Sequence, residues 1–309
     1  MFVVGCTKPA SGLTYMHYGL QTELAKFDWV TIYPPEGPFF RFLAKIDARL
    51  GLMRTMTQNS EYIFAIVPWC SHSLFWPLGY KYKLIPYIYD CWGPGLDRCE
   101  SLLKRFKVKV AFFSSKDVAT HFEKKIPELR SIWAAEACDP RMFNPQKNLI
   151  EREVDVFEMG RRYSEYHDVI TSISANLAIS HEYSGSKKGD PTVDELYTFL
   201  GQAKIVPCFP KKITNPRAAG EINTMTQRYL EAIGSRCLIV GEPPPELIDL
   251  FGFDPVIHVE WSSPVEQLKH ILENLDSFQP HVDYCAERLV EVATFEVRAR
   301  QIHKTLISL

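Results

Sequence analysis

AKIVPCFPKKITNPRAAGEINTMTQRYLEAIGSRCLIVGEPPPELIDLFGFDPVIHV, residues 203–259, holds three short apolar runs, at 203–208, 237–240 and 255–259. Segments of helical period, 222–234 and 244–251, lie between them. Apolar runs of strand length separated by helices predict parallel strands covered on both faces. The first run leads into a loop with Lys211, Lys212, Arg217 and Gly220, and the next helix carries Arg228 and Glu231. That order predicts an anion site with a sugar reader beside it. Loop amides and a helix N-terminus hold phosphate, Arg and Lys neutralise it, and a carboxylate at helix depth accepts from two ribose hydroxyls.

The same alternation runs outward in both directions. Upstream in the second half, a strand is predicted at 154–159, with further helices at 163–180, 191–201 and 264–276. The first half has strand-like runs at 2–4, 29–33, 63–67, 84–89, 108–113 and 131–134, and helical patterns at 15–26, 39–53, 94–106 and 115–125. Two doubly wound sheets in tandem are therefore expected, with their strand C-terminal ends turned to a shared cleft. The polar stretch NPQKNLIER, 144–152, predicts the joint near 150, and 281–309 reads as helix throughout. The expected division is a Rossmann-like domain at 1–148, a second at 149–290, and a C-terminal helix, 291–309, packing back on the first.

Composition excludes several classes of function. The 309 residues are 46% hydrophobic and 23% charged, so a large core can be buried and global disorder is excluded. Lys plus Arg is 35 against 37 for Asp plus Glu, so no bulk positive field recruits nucleic acid. The longest apolar stretch, 62–70, contains Pro68 and is far short of the ~20 residues that span a bilayer. MFVVGCTKPA has no basic n-region of a signal peptide. Cysteines 6, 70, 91, 99, 138, 208, 237 and 285 show no CxxC and no paired spacing, which predicts a reduced cytosol and thiols that mostly serve as small buried hydrophobes. The first βα turn, GCTKPASG at 5–12, is not GxGxxG, and GxxxxGK[ST], HExxH, GxSxG and DxD are absent, so no metal or dinucleotide cofactor is expected.

At this point the residues resemble a family. RYLEAIGSRCLIVGEPPPELIDLFG, 228–252, resembles the donor-site segment of GT-B glycosyltransferases of the group-1 type, family 4 and their spore-maturation-protein-like relatives. SSKDVATHFEKK, EACDPRMFNP, VFEMGRRYSEYHDVI and ATFEVRARQIHKTL are similar to further parts of that family, so the likeness covers about 60–309. It implies that Glu231 binds the nucleotide ribose and that Arg161, after Gly160, faces the diphosphate. Two positions depart from the pattern. Asn223 stands where the family usually has Glu, and Tyr166 where it usually has Lys. Asn223 can still bond a sugar hydroxyl, and Arg162, Lys211 or Lys212 can replace the cation. The implied activity is transfer of a hexose-type sugar from a nucleoside diphosphate sugar to a hydroxyl of a glycan or glycolipid, without metal. The alternative is a non-transferring GT-B protein, either a nucleotide-sugar epimerase or a binding or assembly protein.

Each candidate has a plainer reading. Glu231 can be a structural partner of Arg228, Arg161 a solvated loop cation, and Lys211, Lys212 and Arg217 ordinary surface charge. Asp90 ends a strand before CWGPG and is the candidate base toward an acceptor; the alternative is an N-cap for the next helix. His17 and His72 are weaker candidates, and Asp139 is expected in a turn or cap. FFRFLAKIDARLGLMR, 39–54, sets Arg41, Lys45 and Arg49 on one helical face with a local charge of +3 once Arg54 and Asp47 are counted. Such a helix suits an anionic membrane and a lipid-linked acceptor; packing on the sheet with a basic edge is the alternative. The expected location is the cytoplasm, with peripheral contact at the inner face of the membrane.

Overall fold

The computed structural model describes residues 1–5, 12–33, 37–53, 56–143, 147–177, 179–183 and 193–308. Most of the 5–12 turn, Arg54, and 144–146 of the expected joint lie outside the described residues. The chain forms two compact units. The first is Met1–Glu136 with Ala218–Ile222 and Phe295–Leu309, and the second is Ala137–Arg217 with Asn223–Thr294.

The first unit is built on a six-stranded sheet of β1 (Phe2–Val4), β2 (Val30–Ile32), β3 (Tyr62–Val67), β4 (Lys83–Ile88), β5 (Val110–Phe113) and β6 (Arg130–Trp133). Its order is β2-β1-β3-β4-β5-β6, and every pairing is parallel. The central strands are continuous apolar runs because helices cover both faces. Ile63, Ala65, Val67, Leu84 and Ile88 turn one way into a core with Phe75, Phe106 and Phe122. The C-terminal helix Phe295–Ile307 belongs to this unit: Phe295 meets Tyr15 edge to face, His303 stacks on Phe27, and Gln301 donates to the Trp133 carbonyl.

The second unit has β7 (Val154–Glu158), β8 (His181–Tyr183), β9 (Ala203–Cys208), β10 (Leu238–Gly241) and β11 (Ile257–His258), ordered β11-β10-β9-β7-β8 and again parallel. Both sheets are thus of the expected doubly wound kind. Strand β8 is an addition: HEY, half-buried at the sheet edge, has no apolar run to announce it. Leu149 and Arg152 of the polar 144–152 stretch are buried in this unit, where the Arg152 guanidinium donates to the Ala203 carbonyl at 2.7 Å. The helix foreseen across 281–309 is two helices, Leu275–Val292 and Phe295–Ile307. It breaks because the Ala293 carbonyl accepts from the Cys138 amide, and Thr294 bridges to Cys138.

Candidate functional site

In the second unit, β7 runs into Met159 and Gly160, and Gly160 takes φ +67, a conformation that glycine adopts without a Cβ penalty. The turn releases Arg161 and Arg162 to the surface just before the helix Ser164–Leu177. Gly160, Arg161, Arg162, Tyr163, Ser164, His167, Ile213 and Thr214 line a pocket of about 490 Å³. It therefore sits against a helix N-terminus, where unpaired amides favour an anion.

Arg228 braces this turn. It projects from the helix Gln227–Gly234, and its Nη1 donates to the carbonyls of Met159 at 3.1 Å and Arg161 at 2.8 Å. Arg161 in turn donates to the Thr214 hydroxyl at 3.2 Å. Glu231 lies one helical turn beyond Arg228. Burial pushes its carboxyl up to about 7, with Arg228 opposing the shift. Among the described residues no hydrogen bond or ion pair is made to that carboxylate; the hydrogen bonds of Arg228 go to the turn. A partly buried acceptor without a donor, beside a braced anion turn, is the chemistry that binds a pair of hydroxyls.

The remaining sequence candidates are spread more widely. Lys211 and Lys212 begin the short helix Lys211–Thr214, and Arg217 is exposed on Pro216–Ala219, so the expected open loop is two helical turns set off by Pro210 and Pro216. None of the three cations lines the pocket. Asn223 lies on an irregular stretch where helix was foreseen, since the helix begins only at Gln227. Buried Glu246 holds that stretch, accepting from the Thr224 hydroxyl at 2.5 Å and the Met225 amide at 2.6 Å. Tyr166 is fully buried against Phe209 and Trp261, so this position is core. Arg162 lies over the Tyr183 ring at 4.4 Å.

Asp90 belongs to the first unit, just past β4, and its amide donates to the Pro68 carbonyl. The next helix, Gly95–Arg105, has Pro94 at its N-cap, so Asp90 does not cap it. His72 is engaged with buried Asp47 at 3.0 Å, and the His17 ring nitrogen lies 3.0 Å from the Val4 carbonyl. Asp139 caps the turn Pro140–Met142 as foreseen, accepting from the Arg141 amide.

One group escaped the sequence reading. Glu158 Oε2 accepts from His167 Nδ1 at 2.5 Å and from His181 Nε2 at 2.9 Å, and these three side chains are close enough to hold a metal ion. Their two hydrogen bonds tie β7, β8 and the helix Ser164–Leu177 together beside the pocket. His167 and His181 are fourteen positions apart, so no spacing signalled them.

No family model and no curated protein matches the chain. Solved structures do. Sucrose-phosphate synthase from Thermosynechococcus elongatus is similar at TM-score 0.65 with 10% identity, covering 99% of this chain and 98% of that one. Anabaena HepE in complex with UDP-glucose is similar at TM-score 0.60 and 10% identity, over 100% and 99% of the two chains. A trehalose-6-phosphate structure from E. coli bound with UDP-2-fluoro glucose is similar at TM-score 0.64 and 8% identity, again over 100% and 99%. Such neighbours are GT-B glycosyltransferases, and with two parallel-sheet α/β domains of six and five strands the chain has the GT-B fold.

Proposed function

We propose that the chain is a glycosyltransferase that moves a hexose-type sugar from a nucleoside diphosphate sugar to a hydroxyl of a glycan or glycolipid, with no metal in the transfer. The observation that carries this reading is the Glu231 carboxylate, of intermediate exposure and with no hydrogen bond or ion pair among the described residues, one helical turn from the arginine that braces the Gly160 turn. Glu231 accepts from the ribose hydroxyls. The pocket amides and Arg161 face the diphosphate and stabilise the charge that builds on it as the sugar leaves. Asp90 serves the acceptor side as base. The uridine nucleotides held by HepE and the E. coli structure make uridine the first base to test.

Thermal shift and calorimetry with UDP, UDP-glucose, ADP and GDP, all in EDTA, test the donor assignment. A ligand at a hundred times its Kd adds about 2.7 kcal/mol of stability. One nucleotide is expected to stabilise the wild type, and Glu231→Ala to bind it about 10- to 100-fold more weakly while staying folded, because hydrogen bonds to a charged acceptor are lost. Equal responses in both proteins, or none, would remove Glu231 from the site.

A lipid-linked acceptor and peripheral membrane contact on the cytoplasmic side are proposed with it. On the helix Pro38–Leu50, Arg41, Lys45 and Arg49 are exposed beside Phe39, Phe42 and Leu50, which are 63%, 59% and 67% exposed. Asp47, counted above as a surface charge, is buried: it accepts from the Met53 amide and lies 3.7 Å from Arg105, so the outer face is more basic than the sequence sum. No helix of the described residues is long and apolar enough to cross a membrane. Co-sedimentation with anionic but not neutral vesicles is the expected result, and equal sedimentation with both would reject the contact.

A further inference from the structure

Three cysteines converge in the core of the first unit. Cys70 follows β3, Cys91 follows the paired strand β4, and Cys99 sits on the helix Gly95–Arg105 that β4 leads into. Their sulfurs all lie within 4.8 Å of one another, and Cys70 Sγ is 2.7 Å from Cys99 Sγ. The three residues are 5%, 2% and 0% exposed.

Isolated core thiols do not behave in this way. None of the other four described cysteines, Cys138, Cys208, Cys237 and Cys285, joins such a group. A soft thiolate is the preferred ligand of thiophilic cations.

We infer that Cys70, Cys91 and Cys99 form a structural binding site for a thiophilic divalent cation of the zinc type, pinning the ends of β3 and β4 next to Asp90. The thiols release their protons to solvent as the ion binds, and the fourth position of a tetrahedral site falls to water. The ion takes no part in sugar transfer, and the inference does not depend on the proposed function.

The test uses the full chain, by native mass spectrometry and elemental analysis after expression in zinc-supplemented medium, followed by chelation and titration with zinc or cadmium. The expected result is one ion per chain, a rise in Tm when zinc returns, and an ultraviolet thiolate-to-cadmium charge-transfer band. Cys91→Ser and Cys99→Ser are expected to weaken binding more than about ten-fold. Should those variants fail to fold, titration of the chelated wild type still decides. A wild type that takes up neither ion, or a Cys70–Cys99 cross-link in peptide maps, overturns the site.

Discussion

Two turns at strand ends, one in each unit, both reverse on a glycine of positive φ and reach opposite results. After β4, Asp90, Cys91, Trp92 and Gly93 make a turn in which Gly93 has φ +47, and a Cβ there would lie 2.4 Å from the Ala218 carbonyl oxygen. After β7, Met159, Gly160 and Arg161 make a turn in which Gly160 has φ +67, yet a Cβ there would meet only Arg228 Cδ, at 3.8 Å. The first turn is closed by backbone and buried sulfur. The second opens onto a pocket and is held from below by one guanidinium. Glycine thus serves close packing in one place and backbone reversal beside an open pocket in the other.

The largest effect follows from the closed turn. Gly93→Ala must move backbone rather than a flexible side chain, and it is expected to cost more than about 3 kcal/mol in urea unfolding, or to prevent folding. Arg228→Ala comes next in the open turn. It removes charged donors from the carbonyls of Met159 and Arg161, and about 2–3 kcal/mol of stability should go with them, together with nucleotide binding. Retention of full binding by that variant would show that the turn stands without its brace.

A smaller effect separates Glu231 from its neighbours by pH. Its folded pKa, raised from 4.5 to about 7 by burial, means the native state keeps a proton that the unfolded chain has lost. Stability from this group is therefore full below about pH 4.5 and falls as pH rises toward 7. Relative to Glu231→Gln, the wild type should lose on the order of 1–2 kcal/mol across that window, a figure already reduced for partial exposure. Parallel pH profiles of the two proteins would contradict the buried placement.

Periodicity predicted both sheets because parallel strands, covered on two faces, must be apolar along their whole length, as IFAIV of β3 and LIVG of β10 are. It missed β8, whose edge position leaves HEY half-buried and polar. Glu231 stands out in the sequence as a candidate because a carboxylate within an apolar helix is conspicuous. The partners of Arg228 were not legible, since a guanidinium that seeks main-chain carbonyls leaves no mark on the residues it braces. Nor was the buried state of Asp47, which depends on Arg105 and His72 arriving from distant elements. The cysteine cluster was hidden for the same reason: its members meet only because β3 and β4 are neighbours in the sheet.

The smallest stability effect belongs to Gly160→Ala, and it tests the comparison most directly. The only penalty for alanine is the left-handed backbone, about 1 kcal/mol, because the space above the Cα is open. The protein should fold with a slightly lower urea midpoint and an unchanged slope. The added methyl nevertheless projects from a residue that lines the pocket, where the proposed function has backbone amides approach the diphosphate closely. UDP affinity is therefore expected to drop further than the stability change accounts for, by about ten-fold or more. If Gly160→Ala instead destabilises as severely as Gly93→Ala, the second turn is also closed by packing, and the pocket beside it is not the open anion site described.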